Sequence, residues 1–177
     1  MPVIETIRLV AAALRHPSYG VNAQLAVYAR DATDDRPPVI KGVYEETSDS
    51  AAARDGLYPE WPILVVTADG PVHSVGEPGL DGKHRDSEVP LAIRYVTGTA
   101  EPQIKRRDTY YTLNAIIRCL DALTNPSTPQ EHRELNTVCI QSKEEVWYGG
   151  IAEKIEDVPG TLLAGAVVVT FNVRDEW

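Results

Sequence analysis

Residues 162–173 read LLAGAVVVTFNV, and no other stretch constrains the fold as much. Successive side chains of a strand point to opposite faces. One face would carry Leu163, Gly165, Val167, Val169, Phe171 and Val173; the other would carry Leu162, Ala164, Ala166 and Val168, then Thr170 and Asn172. A strand that is apolar on both faces must be covered on both, so this run predicts a strand that is central for its first half and more exposed from Thr170 onward. Charge follows at once. Arg174, Asp175 and Glu176 are expected to leave the sheet for water or a neighbouring subunit, with Trp177 as a candidate contact.

A central strand needs neighbours and a covering layer, and the rest of the chain supplies both. Val3, Ile7, Val10 and Leu14 recur at helical spacing, with Pro2 suited to a first turn, and that helix should stop before Pro17. After the HPSYG break, Val21, Leu25 and Tyr28 predict a second, shorter helix with Arg30 near its end. Residues 31–60, rich in Asp, Ser, Pro and Ala, read as loops around one short extended piece, VIKGVY. Residues 63–67 are apolar on both faces, as in a covered strand, and Asp69-Gly70 stops them. Residues 69–88 hold four glycines and two prolines, together with His73 and His84, and read as a long exposed loop or flap.

EVPLAIRYVTG alternates, with Val89, Leu91, Ile93 and Tyr95 on one face; Pro90 points to a strand start or a sheet edge. Leu113, Ile116, Ile117, Leu120 and Leu123 predict a helix with Asp108 and Thr109 as caps, ending before Pro126. NTVCIQS and VWYGGI read as two short strands paired through a turn at residues 143–145. The order predicts an α+β fold: a largely antiparallel or mixed sheet, two to three helices packed on one face, and a long flap loop. The 177 residues suit a single domain over 1–177 that needs no metal or disulfide staple.

Composition narrows the function. Hydrophobic residues at 43% and charged residues at 24% are ordinary for a globular chain. A net charge of −9 opposes non-specific binding to nucleic acid phosphates. Cys119 and Cys139 lie among apolar neighbours with no metal-ligand spacing, and read as buried thiols of a reducing cytoplasm. The first residues lack the basic start of a signal peptide, and no apolar run reaches the roughly 20 residues that span a bilayer.

The sequence contains no G-x-S-x-G elbow, H-E-x-x-H helix, phosphate-binding G-x-x-x-x-G-K or G-x-G-x-x-G. His16, His73, His84 and His132 fall at predicted loops or helix ends; His73 and His84 share the flap with Asp81, Asp86 and Glu88, without the spacing that presents ligands on one face. A nuclease set of Asp69, Glu88 and Lys105 would need Lys105 in register with strand ends, whereas it lies at a helix start. No catalytic, metal or cofactor residue is therefore assigned. The candidates that remain are contacts: Lys105, Arg106 and Arg107 for phosphate, an acidic partner surface or a solvated turn, and Trp147 and Tyr148 for an interface or the core.

Taken together, the opening LRHPSYGVNAQLAVYAR, the acidic and Pro-rich loop, the strand entry YPEWPILVV, the helix YYTLNAIIRCLDAL and the closing AGAVVVTFNV resemble the tail terminator (tail completion) proteins of long-tailed bacteriophages. The resemblance implies a viral structural protein of the virion neck or tail, made in the host cytoplasm and bound to no membrane. It implies a homohexameric ring that ends the tail tube, contacts the tail tube protein and joins the head-tail connector protein, with DNA passing through unbound. The alternatives are another head-tail joining or neck protein, or a small metal- or ligand-binding enzyme domain with residues 69–88 as a lid.

Overall fold

The computed structural model describes residues 2–31, 37–46, 60–75, 84–98, 106–124, 138–147, 153–154 and 161–176. Pro2–Arg15 forms helix α1, and Ile7, Val10 and Leu14 are buried on its predicted face. The helix ends as its sequence requires, before Pro17, with His16 N donating back to Ala13 O. The chain then turns tightly: Gly20 N donates to His16 O, and His16 stacks on Tyr19 at 3.7 Å between ring centroids. Gly20 is needed here because a Cβ would strike His16 O and come within 2.6 Å of His16 N and Leu14 O, all of them backbone atoms.

Helix α2, Val21–Asp31, buries Val21 and Leu25 as expected. Asn22 does what periodicity could not announce. Its side chain accepts from Ile40 N at 2.8 Å and donates to Ile40 O at 2.9 Å, pinning the following segment to α2. With both Ile40 backbone groups taken, the extended piece predicted at residues 39–44 becomes a strand only at Gly42–Glu46, β1. Arg15 fastens β1 to α1: Nε and Nη2 donate to Val43 O, and Nη1 reaches Glu45 at 2.9 Å.

The remaining elements are β2 (Ile63–Ala68), β3 (His73–Val75), β4 (His84–Gly98), helix α3 (Arg106–Thr124), β5 (Val138–Trp147), β6 (Glu153–Lys154) and β7 (Thr161–Glu176). The fold is α+β. Among the described residues, seven strands form one mixed sheet along the path β1-β2-β4-β7-β5, with β3 beside β4 and β6 beside β7. Only β1 and β2 run parallel; every other pair is antiparallel.

All three helices pack on one face of the sheet, α1 over the β1–β2 side and α3 over the β7–β5 side, while α2 rests mainly on α3. The core between the layers is built from opposed pairs across strands: Leu64 with Tyr95, Val66 with Ile93, Ile93 with Val167, Leu91 with Val169 and Val89 with Phe171. From α3 come Leu113, Ile116 and Leu120, and Cys119 is buried as expected, its Sγ 3.5 Å from Ala13 O. The other face carries a smaller cluster of Ile63, Val65 and Val96, flanked by Tyr44 and Trp61.

Several sequence expectations change. Pro90 marks neither a start nor an edge; it lies in the middle of β4, opposite Thr170 of β7. Its carbonyl accepts from Asp69 N, so its missing N–H faces the gap where β2 gives way to β3 and breaks no ladder bond to β7. Gly70, at a φ of 149° that other residues rarely adopt, turns the chain across that gap. Residues 143–145 form no turn: β5 runs through them, and its charges suit the outermost strand of the sheet. Asp108 and Thr109 lie inside the first turn of α3, and Thr112 Oγ1 donates to Asp108 O at 2.8 Å. In β7, Ala164 is skipped between the pairs Tyr95–Gly165 and Val96–Leu163, so the alternation predicted through Leu163 shifts by one residue.

Two further corrections concern the flap and the charged run. In the stretch 69–88, residues 73–75 and 84–88 are paired strand, while residues 76–83 lie outside the described residues. Residues 174–176 do not leave the sheet. They continue β7 opposite β4, with Arg174 facing Asp86, Asp175 facing Arg85 and Glu176 facing His84 in register.

Candidate interaction surface

The exposed face of α3 is set by its period. Arg107, Tyr111, Asn114 and Arg118 recur at steps of four, three and four, so they share one stripe, with Tyr110 beside it. The apolar positions 113, 116 and 120 bury the opposite face. Tyr28 arrives from α2 and sits 5.1 Å from the Tyr111 ring, while Tyr110 meets Tyr111 edge-on at 6.2 Å. The Arg118 guanidinium lies 4.9 Å over the Tyr28 ring, within cation–π range. Tyr110 is 53% exposed and Val27 of α2 41% exposed, so the surface keeps aromatic and apolar area open to solvent.

Burial pushes the Tyr28 phenol above its ordinary value of 10.0; Arg118 pulls the other way, and Tyr110 and Tyr111 add to the rise. The phenol therefore stays neutral through the physiological range. Tyrosine and arginine in contact on an open helical face are the residue types that carry binding energy in protein interfaces. No motif search finds this group, because Tyr28 and Tyr111 are far apart in sequence; the only signal was the 107–111–114–118 spacing.

Of the sequence candidates, Arg107 is exposed at the start of the stripe and Arg106 opens α3, whereas Lys105 lies outside the described residues. Trp147 ends β5 opposite Gly165, with its side chain outside the described set. Tyr148 and Trp177 also lie outside the described residues. Helical spacing thus places Arg107 on the same stripe of α3 as Tyr111.

The opposite sheet face presents a different, polar arrangement. His73, Glu88, Asn172 and Cys139 occupy one row across β3, β4, β7 and β5. His73 is thus on a strand rather than a loop, as is His84, while His132 lies outside the described residues. Asn172 Oδ1 is buried and accepts no hydrogen bond among the described residues. Asp69 reaches the same region through its bond to Pro90, but Lys105, the third member of the nuclease set, lies outside the described residues. Among the described residues, no three His, Cys, Asp or Glu side chains lie close enough to hold a metal ion, and no helix is long and apolar enough to cross a membrane.

No protein-family model matches the chain, and a search of curated proteins finds no match to it.

Proposed function

We propose that this chain is a structural subunit of a bacteriophage virion: a tail terminator that assembles into a hexameric ring, ends the tail tube and joins it to the head-tail connector. The observation that carries the reading is the Tyr28–Tyr110–Tyr111–Arg118 surface, an aromatic and cationic contact face on the outermost helical layer of an α+β domain. The helix–break–helix opening and the long closing strand, the stretches on which the resemblance rests, form α1, α2 and β7, which agrees with this reading. A net charge of −9 per subunit makes the assembled ring strongly acidic, so DNA would pass through its lumen without sticking. The test is solution mass by light scattering followed by negative-stain imaging, alone and with purified tail tubes. Rings on tube ends are the expected result; a chain that stays monomeric alone and leaves tube growth unchanged rules the proposal out.

One observation favours a second reading, a small metal- or ligand-binding domain. His73, Glu88 and Asn172, whose Oδ1 has no hydrogen-bond partner among the described residues, stand in one cross-strand row; imidazole, carboxylate and amide oxygen are donor types that divalent cations accept. Under that reading, added zinc raises the melting temperature, and His73→Ala abolishes the rise. An identical melting curve with and without metal removes it.

A further inference from the structure

We infer that Arg15 keeps the β1 edge of the sheet closed to strand addition, so that β1 ends the sheet instead of pairing with an extended segment of another chain. The inference goes beyond the ring proposal and does not rest on it.

β1 is one end of the sheet path, and among the described residues no strand lies beyond it. An outermost strand presents unpaired N–H and C=O groups, a ready template for a foreign strand unless something blunts it. At the other end, β5 carries Lys143, Glu144 and Glu145, charges that oppose such pairing. β1 has no Lys, Arg or Pro of its own, and its first three residues, Gly42, Val43 and Tyr44, are uncharged.

The guard comes from α1 instead. Within a strand, the N–H and C=O of one residue point to the same side in the plane of the sheet, and successive residues alternate. β2 takes one side of β1. The Arg15 guanidinium donates to Val43 O through both Nε and Nη2, and a group of that size reaches the carbonyl only from the side away from β2. Val43 and, two residues on, Glu45 are therefore the positions of this five-residue strand whose backbone faces outward. Arg15 holds the carbonyl of the first, and its Nη1 lies 2.9 Å from the carboxylate of the second, which fixes the guanidinium along the edge. An incoming strand must displace that cation before it gains its first bond at Val43, and Glu45 alone is too short a ladder to hold it. The Arg15 side chain is 46% exposed, so the guard stands where another chain would arrive.

The experiment uses the full chain, the variants Arg15→Met and Arg15→Lys, and a labelled, blocked peptide of alternating threonine and valine as the incoming strand. Fluorescence anisotropy should show the peptide binding Arg15→Met at least about tenfold more tightly than the parent. Arg15→Lys, which keeps the charge but has a single donor nitrogen, should fall between them. The same peptide with every backbone nitrogen methylated cannot donate to a ladder and should not bind Arg15→Met. If the peptide binds all three chains alike, or if the methylated peptide binds Arg15→Met as well as the unmethylated one, the inference is overturned. Arg15→Met also loses the tie between α1 and β1; should it melt too low to assay, Arg15→Lys decides, and an affinity equal to the parent's overturns the inference. Ring formation by the parent bears on none of these outcomes.

Discussion

Single residues hold the α1–α2 corner and the α2–α3 surface. Gly20 has backbone atoms where a Cβ would go, so Gly20→Ala must open the turn. The expected loss is about 1–3 kcal/mol, read as a lower denaturation midpoint with unchanged secondary structure; an equal midpoint would mean that the corner relaxes freely. Tyr28 makes a pH prediction. Its phenol titrates higher in the folded state than its ordinary 10.0, so folding favours the protonated form. That contribution is fully present below pH 10.0 and is lost as pH rises through the raised folded value. Tyr28→Phe should flatten the fall in melting temperature on the alkaline side, and a slope unchanged from the parent would show that the burial does not matter energetically.

At the scale of elements, the end of β7 and the start of β4 pair in register, with Asp86 opposite Arg174 and Arg85 opposite Asp175. Opposite charges placed directly across two strands are in general worth about 0.2–1 kcal/mol. A double-mutant cycle with Arg85→Asp and Asp175→Arg should therefore show two destabilising single variants and a double variant that recovers most of the loss at low salt. Simple additivity of the two would mean that the register holds without the charges. Residues 174–176 stay in the sheet, although their composition reads as a surface tail, because β4 extends far enough to pair with them. β5 teaches the complementary lesson: Lys143, Glu144 and Glu145 look like a turn in sequence, yet an outermost strand tolerates charge along its length, and charge there opposes pairing with foreign strands.

For the whole molecule, the decisive feature is that β7 lies in the middle of the sheet, between β4 and β5, although it comes last among the described strands. β4 and β7 are far apart along the chain, so the central pair closes a long loop before it gains its contacts. Folding should be slow for a domain of this size, in the millisecond-to-second range typical of non-local topologies. Deleting residues 161–177 should remove the cooperative unfolding transition altogether, because β4 and β5 lose the strand they share. A sharp transition in the deleted chain would show that the remaining sheet is self-sufficient.

The sequence by itself determined the elements whose periodicity is carried by buried side chains. Val3, Ile7, Val10 and Leu14 announced α1; Leu113, Ile116 and Leu120 announced α3; residues 63–67 announced a strand covered on both faces. Local patterning suffices there because a helix stripe or a strand face is a property of neighbours in sequence. Tertiary structure decided the rest, for the opposite reason. Pro90 is tolerated mid-strand only because its missing donor meets the gap between β2 and β3, and residues 174–176 remain strand only because β4 reaches back to His84. The tyrosine–arginine surface exists only because α2 lays Tyr28 against Tyr111 and Arg118, side chains that no spacing rule connects. Contacts between distant segments depend on how elements pack, and packing is a property of the assembled core.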